Sequence, residues 1–240
     1  TKKQYVFLVF LAVLVVVTLI VLVLESPLYD IDKVEVKNVS ASQLSDAEIT
    51  QINKITSGIK GQQTYRLKVN GIEDKLQDLN YIKSVDISKK WPSNVTVTLN
   101  RRVPVAVIET DQGYVSVDQD GIVFEKTGAP DKSLPILDGI AQVTYSKAIP
   151  NEDFMKIINA VPDSMKGQIS RISLKDKDYT ATLTDGITVK LGNDNEMKQK
   201  LTIAWSIIMT KGRKDIGYID VSVPSLPVSG SPQLANESSK

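Results

Sequence analysis

The chain has neither cysteine nor histidine among its 240 residues. Without thiols there are no disulfides and no thiolate metal sites. Without imidazole there are no serine–histidine or cysteine–histidine nucleophile pairs and no histidine-based zinc centres. A fold outside the cytoplasm must then be held by packing alone, which fits a bacterial cell surface at least as well as a secreted eukaryotic module. A surplus of one charge is also lacking. Lysine and arginine number 29 against 28 acidic residues, a formal net charge of +1, and the basic residues are scattered among acidic ones. Phosphate recognition needs a clustered basic excess, so no nucleic-acid partner is expected. Paired carboxylates or a serine–lysine pair stay open as catalytic arrangements, but no residue set nominates a catalytic site, a metal or a cofactor.

What is present begins with a hydrophobic run. Residues 5–24 read YVFLVFLAVLVVVTLIVLVL, and 17 of these 20 are Leu, Ile, Val or Phe, with no charge, glycine or proline. At about 1.5 Å per residue the run reaches ~30 Å, the thickness of a bilayer core. Lys2 and Lys3 precede it and Glu25, Asp30 and Asp32 follow, which predicts a cytoplasmic N-terminus and an extracytoplasmic C-terminus. A cleaved signal peptide would have a shorter apolar core and a small-x-small site, whereas Glu25-Ser26-Pro27 stands at the end of this one. The run reads as an uncleaved anchor behind a cytoplasmic stub, residues 1–4, of a longer tail. It lacks a small-xxx-small pattern, so no tight homodimer through it is expected.

Residues 25–99 are expected to form a first extracytoplasmic domain. Residues 31–37 (IDKVEVK) alternate as a half-buried strand. Ser45 and Glu48 have capping-box spacing, Leu44 and Ile49 are placed as a hydrophobic staple, and Ile49 and Ile52 carry the inner stripe of a short helix. Asn70 and Glu73 repeat the cap spacing before a second helix with Ile72, Leu76 and Leu79 on one face. Residues 82–87 and 94–99 then alternate as two strands around Trp91-Pro92, with Val85, Ile87, Val95, Val97 and Leu99 inward. A three-stranded sheet with both helices on one face is the smallest core that buries these stripes.

This β-α-α-β-β order, residues 81–85 (YIKSV), Trp91-Pro92 and residues 102–106 (RVPVA) resemble the POTRA module of the bacterial cell-division family FtsQ, called DivIB in Gram-positive species. The resemblance departs at Arg101, where the family often carries glutamate before its arginine, and leaves a salt bridge there unassigned. Residues 100–223 are expected to form a second domain of short strands with flanking helices. It has Asp-Gly hairpin turns at 120–121 and 185–186, an extended stretch at 134–139 and a helix capped by Asn151 that buries Phe154, Ile157, Ile158 and Val161. A longer helix, capped within residues 193–196, aligns Met197, Leu201, Ala204 and Ile208 before a final strand at 217–223. Residues 117–124 (VDQDGIVF), 134–139 (LPILDG), Lys200-Leu201, 218–221 (YIDV), Pro224 and Pro227 continue the resemblance. Residues 224–240 are expected to be disordered. The fold class expected is α+β: a transmembrane helix, a POTRA domain, and a mixed β-sheet domain with flanking helices.

Three features invite chemistry and read better as structure. Asp118 and Asp120 precede Gly121 as a turn, the 193–196 loop lacks the further ligands of a calcium site, and Trp91 beside Pro92 packs at a strand turn. Sequons at Asn38, Asn94 and Asn236 carry no weight in a bacterial protein. Binding through exposed strands remains. The last strand is expected to be a sheet edge that pairs with an incoming segment through Tyr218, Ile219, Asp220, Val221, Ser222 and Val223. The resemblance implies the same. Its C-terminal strand region receives small single-pass division proteins of the FtsB/DivIC and FtsL type at the septal plasma membrane, in assemblies acting on the septal peptidoglycan synthase complex. On that reading the chain is a non-catalytic scaffold. The alternatives are a membrane-anchored cell-wall enzyme or cell-wall-binding protein, and a POTRA protein of outer-membrane assembly, for which no barrel-like tail follows.

Overall fold

A computed structural model describes residues 2–140 and 142–231. The chain divides after Arg102 into two units, three residues beyond the expected boundary at 99.

The first unit opens with helix α1, Lys2–Leu24, exposed along its length except at Leu24. Its mean hydropathy reaches 3.5. A core helix of that composition would be buried. An uncovered one is unfavourable in water at about 25 cal/mol for each Å² of apolar surface, and hydrocarbon removes that cost. Strand β1 (Lys33–Asn38), helices α2 (Asp46–Thr56) and α3 (Asn70–Gln77), and strands β2 (Ile82–Lys90) and β3 (Asn94–Arg101) follow in the expected order. The sheet runs β1-β3-β2, with β1 parallel and β2 antiparallel to the central β3. Val95, Val97 and Leu99 of β3 are fully buried with Ile52 of α2 and Leu76 of α3, so both helices cover one face.

Local details depart from expectation. The Ser45–Glu48 capping box forms, with Ser45 N–H donating to Glu48 Oε2 at 2.7 Å, but Ile49 is 41% exposed. The inner stripe of α2 is instead Glu48, Ile52 and Thr56. Asn70 caps nothing: it is the first residue of α3, behind Val69. Glu73 Oε1 accepts the N–H of Ile87 on edge strand β2 at 3.1 Å, occupying a donor that would otherwise face an incoming strand.

In the second unit, β4 (Pro104–Thr110), β5 (Gly113–Asp118), β6 (Val123–Thr127), β7 (Ile136–Asp138), α4 (Asp153–Ala160), β8 (Ile169–Lys175), β9 (Asp178–Leu183), β10 (Thr188–Gly192), α5 (Met197–Lys211), β11 (Tyr218–Asp220) and β12 (Val228–Gly230) follow one another. They build one nine-stranded mixed sheet ordered β12-β11-β10-β9-β8-β7-β4-β5-β6. Phe154 and Ile157 of α4 and Met197, Leu201, Ala204 and Ile208 of α5 share its core with Ile172, Ala181, Val189 and Ile219. Around β9 and β10 the other face presents Thr180, Thr182, Thr188 and Lys190, the alternation of a sheet covered on one side.

Strand β8 has no counterpart among the expected elements. A register shift between Ile169 and Arg171 sets buried Ile169 and Ile172 three apart, which hides the two-residue period. Asn151 lies two residues before α4, its Oδ1 accepting the Asp153 N–H at 3.2 Å, but the N-cap is Glu152 and no side chain caps the helix there. The 193–196 loop does not cap α5 by a side chain. The tail expected to be unstructured from 224 is a strand at Val228–Gly230, and residues 232–240 lie outside the described residues.

Candidate functional site

Strand β11 follows from its sequence. Ile219 and Val221 alternate inward and are fully buried, while Tyr218 and Asp220 are half-buried on the opposite face. It pairs in parallel with β10, Tyr218 opposite Thr188 and Asp220 opposite Lys190. The Asp220 carboxylate then folds the chain away from the ladder, accepting the Ser222 N–H at 3.0 Å and the Ser222 hydroxyl at 2.5 Å. The regular strand therefore covers 218–220 rather than 217–223.

Its other side is not free. Strand β12 returns antiparallel, Tyr218 opposite Gly230, Ile219 opposite Ser229 and Asp220 opposite Val228. The expected edge is thus one strand removed: β11 is an inner strand and β12 ends the sheet. The physical reason is the Val223–Leu226 turn, closed by the Leu226 N–H on the Val223 carbonyl at 3.0 Å, and the glycine at 230, which let the chain double back. Gly230 lies against the Tyr218 ring so closely that any β-carbon there would overlap it. The ring also takes Lys190 Nζ at 5.5 Å from its centroid. The Gly217 N–H donates to the Gly230 carbonyl at 2.8 Å, and Lys211 Nζ donates to Ser229 Oγ at 2.8 Å. Of the six site residues expected from sequence, the fold splits the set. Tyr218, Asp220 and Ser222 point away from the core, Val223 is 53% exposed, and the side chains of Ile219 and Val221 are out of a partner's reach. Leu226 and Val228, 74% and 53% exposed, join Val223 beside the β12 edge. They were missed because a Ser-, Pro- and Gly-rich composition reads as tail, and the only signal was the short Leu226–Val228 apolar pair.

Catalytic arrangements fare differently. The Asp118 Oδ1 accepts the N–H groups of Asp120 and Ile122 at 3.0 and 2.9 Å, so this carboxylate builds the turn at Gly121. Asp194 is tied to Lys156 at 2.8 Å, which holds its carboxyl below the usual range. Lys200 is buried, and its ammonium donates to the Asn193 carbonyl at 2.9 Å and to its Oδ1 at 3.0 Å. Burial pulls its pKa below the ordinary lysine value. A cleft of about 350 Å³ between β4, α4 and the start of β8 is lined by Val105, Leu134, Pro135, Ile158, Val161 and Met165, with Lys166 its one ionisable group. Among the described residues no three acidic side chains gather as for a metal ion.

The comparisons agree with this layout. The family description "POTRA domain, FtsQ-type" matches residues 30–102, and "Cell division protein FtsQ/DivIB, C-terminal" matches residues 106–222. Cell division protein DivIB of Clostridium tetani is 26% identical over 90% of this chain and 85% of its own. DivIB of Bacillus subtilis is 27% identical over 76% of this chain, and FtsQ of Neisseria meningitidis 29% over 65%. This chain spans 64% of each of those two proteins. The solved extracytoplasmic domain of DivIB from Geobacillus stearothermophilus matches with a TM-score of 0.34 and 16% identity over 48% of this chain and 98% of that one. The order apolar helix, POTRA-type unit and C-terminal sheet unit, matched along nearly its whole length, places this chain in the FtsQ/DivIB family of cell-division proteins.

Proposed function

We propose that the chain is a non-catalytic, membrane-anchored scaffold of the division machinery. Its C-terminal sheet edge receives an extended segment of a small single-pass division protein of the FtsB/DivIC type, paired with an FtsL-type partner. The observation that carries this reading is the β12 edge, outermost in the sheet among the described residues, with exposed Val223, Leu226 and Val228 in and before that strand. Main-chain groups of an edge strand supply affinity to an added strand, and apolar side chains next to it supply selectivity. Tyr218, Asp220 and Ser222 contribute from the neighbouring strand, while Ile219 and Val221 hold that strand to the core. Confinement to a bilayer raises the effective concentration of two anchored partners, so a short edge suffices. The scaffold then positions or restrains the septal peptidoglycan synthase at the septum.

The test is photo-crosslinking in living cells from residues 218–228, with mass spectrometry of the adducts. Adducts to a small single-pass coiled-coil protein are expected at 226 and 228 and absent at 219 and 221. Adducts confined to the first unit would end the edge assignment.

A further inference from the structure

Helix α1 leaves no free linker behind it. Glu25, the first residue after Leu24, already pairs with Arg66 of the folded unit at 3.1 Å. Pro27–Tyr29 form one 3-10 turn, the Tyr29 carbonyl accepts the Thr64 N–H at 2.8 Å, and the Tyr29 ring meets Trp91 edge-on at 5.6 Å. Ile31 is already core, 1% exposed. Tyr29 is five positions beyond Leu24, at most about 18 Å if fully extended. The 3-10 turn, rising only about 2 Å per residue, shortens that further. The headgroup layer on each side of a bilayer core is roughly 5–8 Å thick. The covalent chain therefore keeps this end of the unit, with its Trp91-Pro92 turn, within reach of the headgroup layer.

Its surface chemistry fits that depth. Trp91 is 56% exposed and Leu28 69%. Strand register sets Lys33 and Lys90 on either side of Asn94 at the end of the sheet, with Lys89 next to them. The nearby acids are Glu25, paired with Arg66, Asp32, at 4.0 Å from Lys60, and half-buried Asp30. Among the described residues Lys33, Lys89 and Lys90 make no ion pair. The linear sequence beyond the apolar run is acidic, and folding returns lysines from far along the chain to the same place. An indole is amphipathic and suited to the headgroup layer, where lysine meets lipid phosphate.

We infer that this end of the β-α-α-β-β unit is seated on the outer surface of the bilayer. Trp91 and Leu28 enter the interface, and Lys33, Lys89 and Lys90 meet the phosphates of anionic phospholipids. The inference rests on the reading of Lys2–Leu24 as a membrane anchor. Seating fixes the orientation of the first unit against the membrane instead of leaving it to swing.

The test places the full chain, with Trp205→Phe to leave a single indole, in lipid nanodiscs of phosphatidylcholine with or without phosphatidylglycerol. The lipids carry a quencher near the headgroup. Trp91 emission is expected to be quenched in the anionic discs. Each lysine is expected to shift the docked-to-free ratio about fivefold, so Lys89→Glu with Lys90→Glu releases the indole. A chain retained in the discs through alkaline wash with Trp91 unquenched overturns the seating and leaves the anchor standing. A chain not retained overturns both. Equal quenching in neutral and anionic discs overturns the assignment to anionic lipid. Should Trp205→Phe not fold, hydrogen exchange of residues 89–94 in discs against uncharged detergent micelles reads the same contact, and equal exchange rates overturn it.

Discussion

Arg101 on β3 reaches Glu48 on α2 across 53 positions of sequence, its Nε at 3.0 and 3.2 Å from the two carboxylate oxygens and its Nη2 at 3.0 Å from Oε1. Both side chains are close to fully buried, at 7% and 11% exposure. The same carboxylate closes the capping box on Ser45, and Arg101 Nη1 donates to Ser42 Oγ at 3.0 Å and to the Arg102 carbonyl at 3.1 Å. One carboxylate thus ends a helix and ties it to the central strand. Removing one partner leaves the other charged and desolvated. Arg101→Met or Glu48→Gln is expected to cost about 3–5 kcal/mol in urea unfolding. Replacing both with apolar residues is expected to cost less than the two single losses combined, which a double-mutant cycle measures.

Gly230 can be replaced only if the Tyr218 ring moves. Gly230→Val is expected to detach β12 while leaving the rest of the unit folded. The amide of Gly217, which donates to the Gly230 carbonyl, then loses its hydrogen-exchange protection and partner capture at the edge falls. Protection unchanged at Gly217 would show that β12 tolerates a side chain at 230.

Tyr81 titrates late. Its phenol, pushed up to about 12 first by burial and next by the Glu48 carboxylate, donates to Gln51 Oε1 at 3.0 Å. The folded state keeps this proton more tightly than the unfolded one, whose value is near 10. The contribution is therefore whole below pH 10 and lost as pH rises toward 12. The tyrosinate absorbance of wild type minus Tyr81→Phe is expected to rise near pH 12 in folded protein and near pH 10 in urea.

Lys200 has the opposite sign. Its folded pKa lies below 10.5, so between the two values the unfolded chain binds more proton and stability grows with pH. The difference in unfolding free energy between wild type and Lys200→Met is expected to move in favour of wild type as pH climbs to 10.5. A flat difference would mean that the ammonium is solvated in the fold.

Periodicity and turn chemistry carried most of the architecture. The apolar run at 5–24, the two-residue alternation of β1, β3 and β9, the stripes of α4 and α5 and the Asp-Gly turns are all local patterns. Each shows in sequence because a strand or helix repeats its own burial every two or 3.6 residues. Glu48 shows where that reading stops. Its spacing to Ser45 is enough to find a capping box, but nothing local says that Arg101 will arrive from the last strand of the unit.

What the sequence determined by itself, then, is the chain's membrane helix, its two-unit order and its family, since these rest on contiguous motifs. Only the tertiary structure decided which strand is the edge, which acid is buried and which lysines gather at the Trp91 end of the first sheet. Strand order, the Glu48–Arg101 pair and the Trp91 end of the sheet join residues tens of positions apart. Such contacts arise when a chain closes loops to bury its apolar faces together, and that closure leaves no periodic trace in the residues it joins.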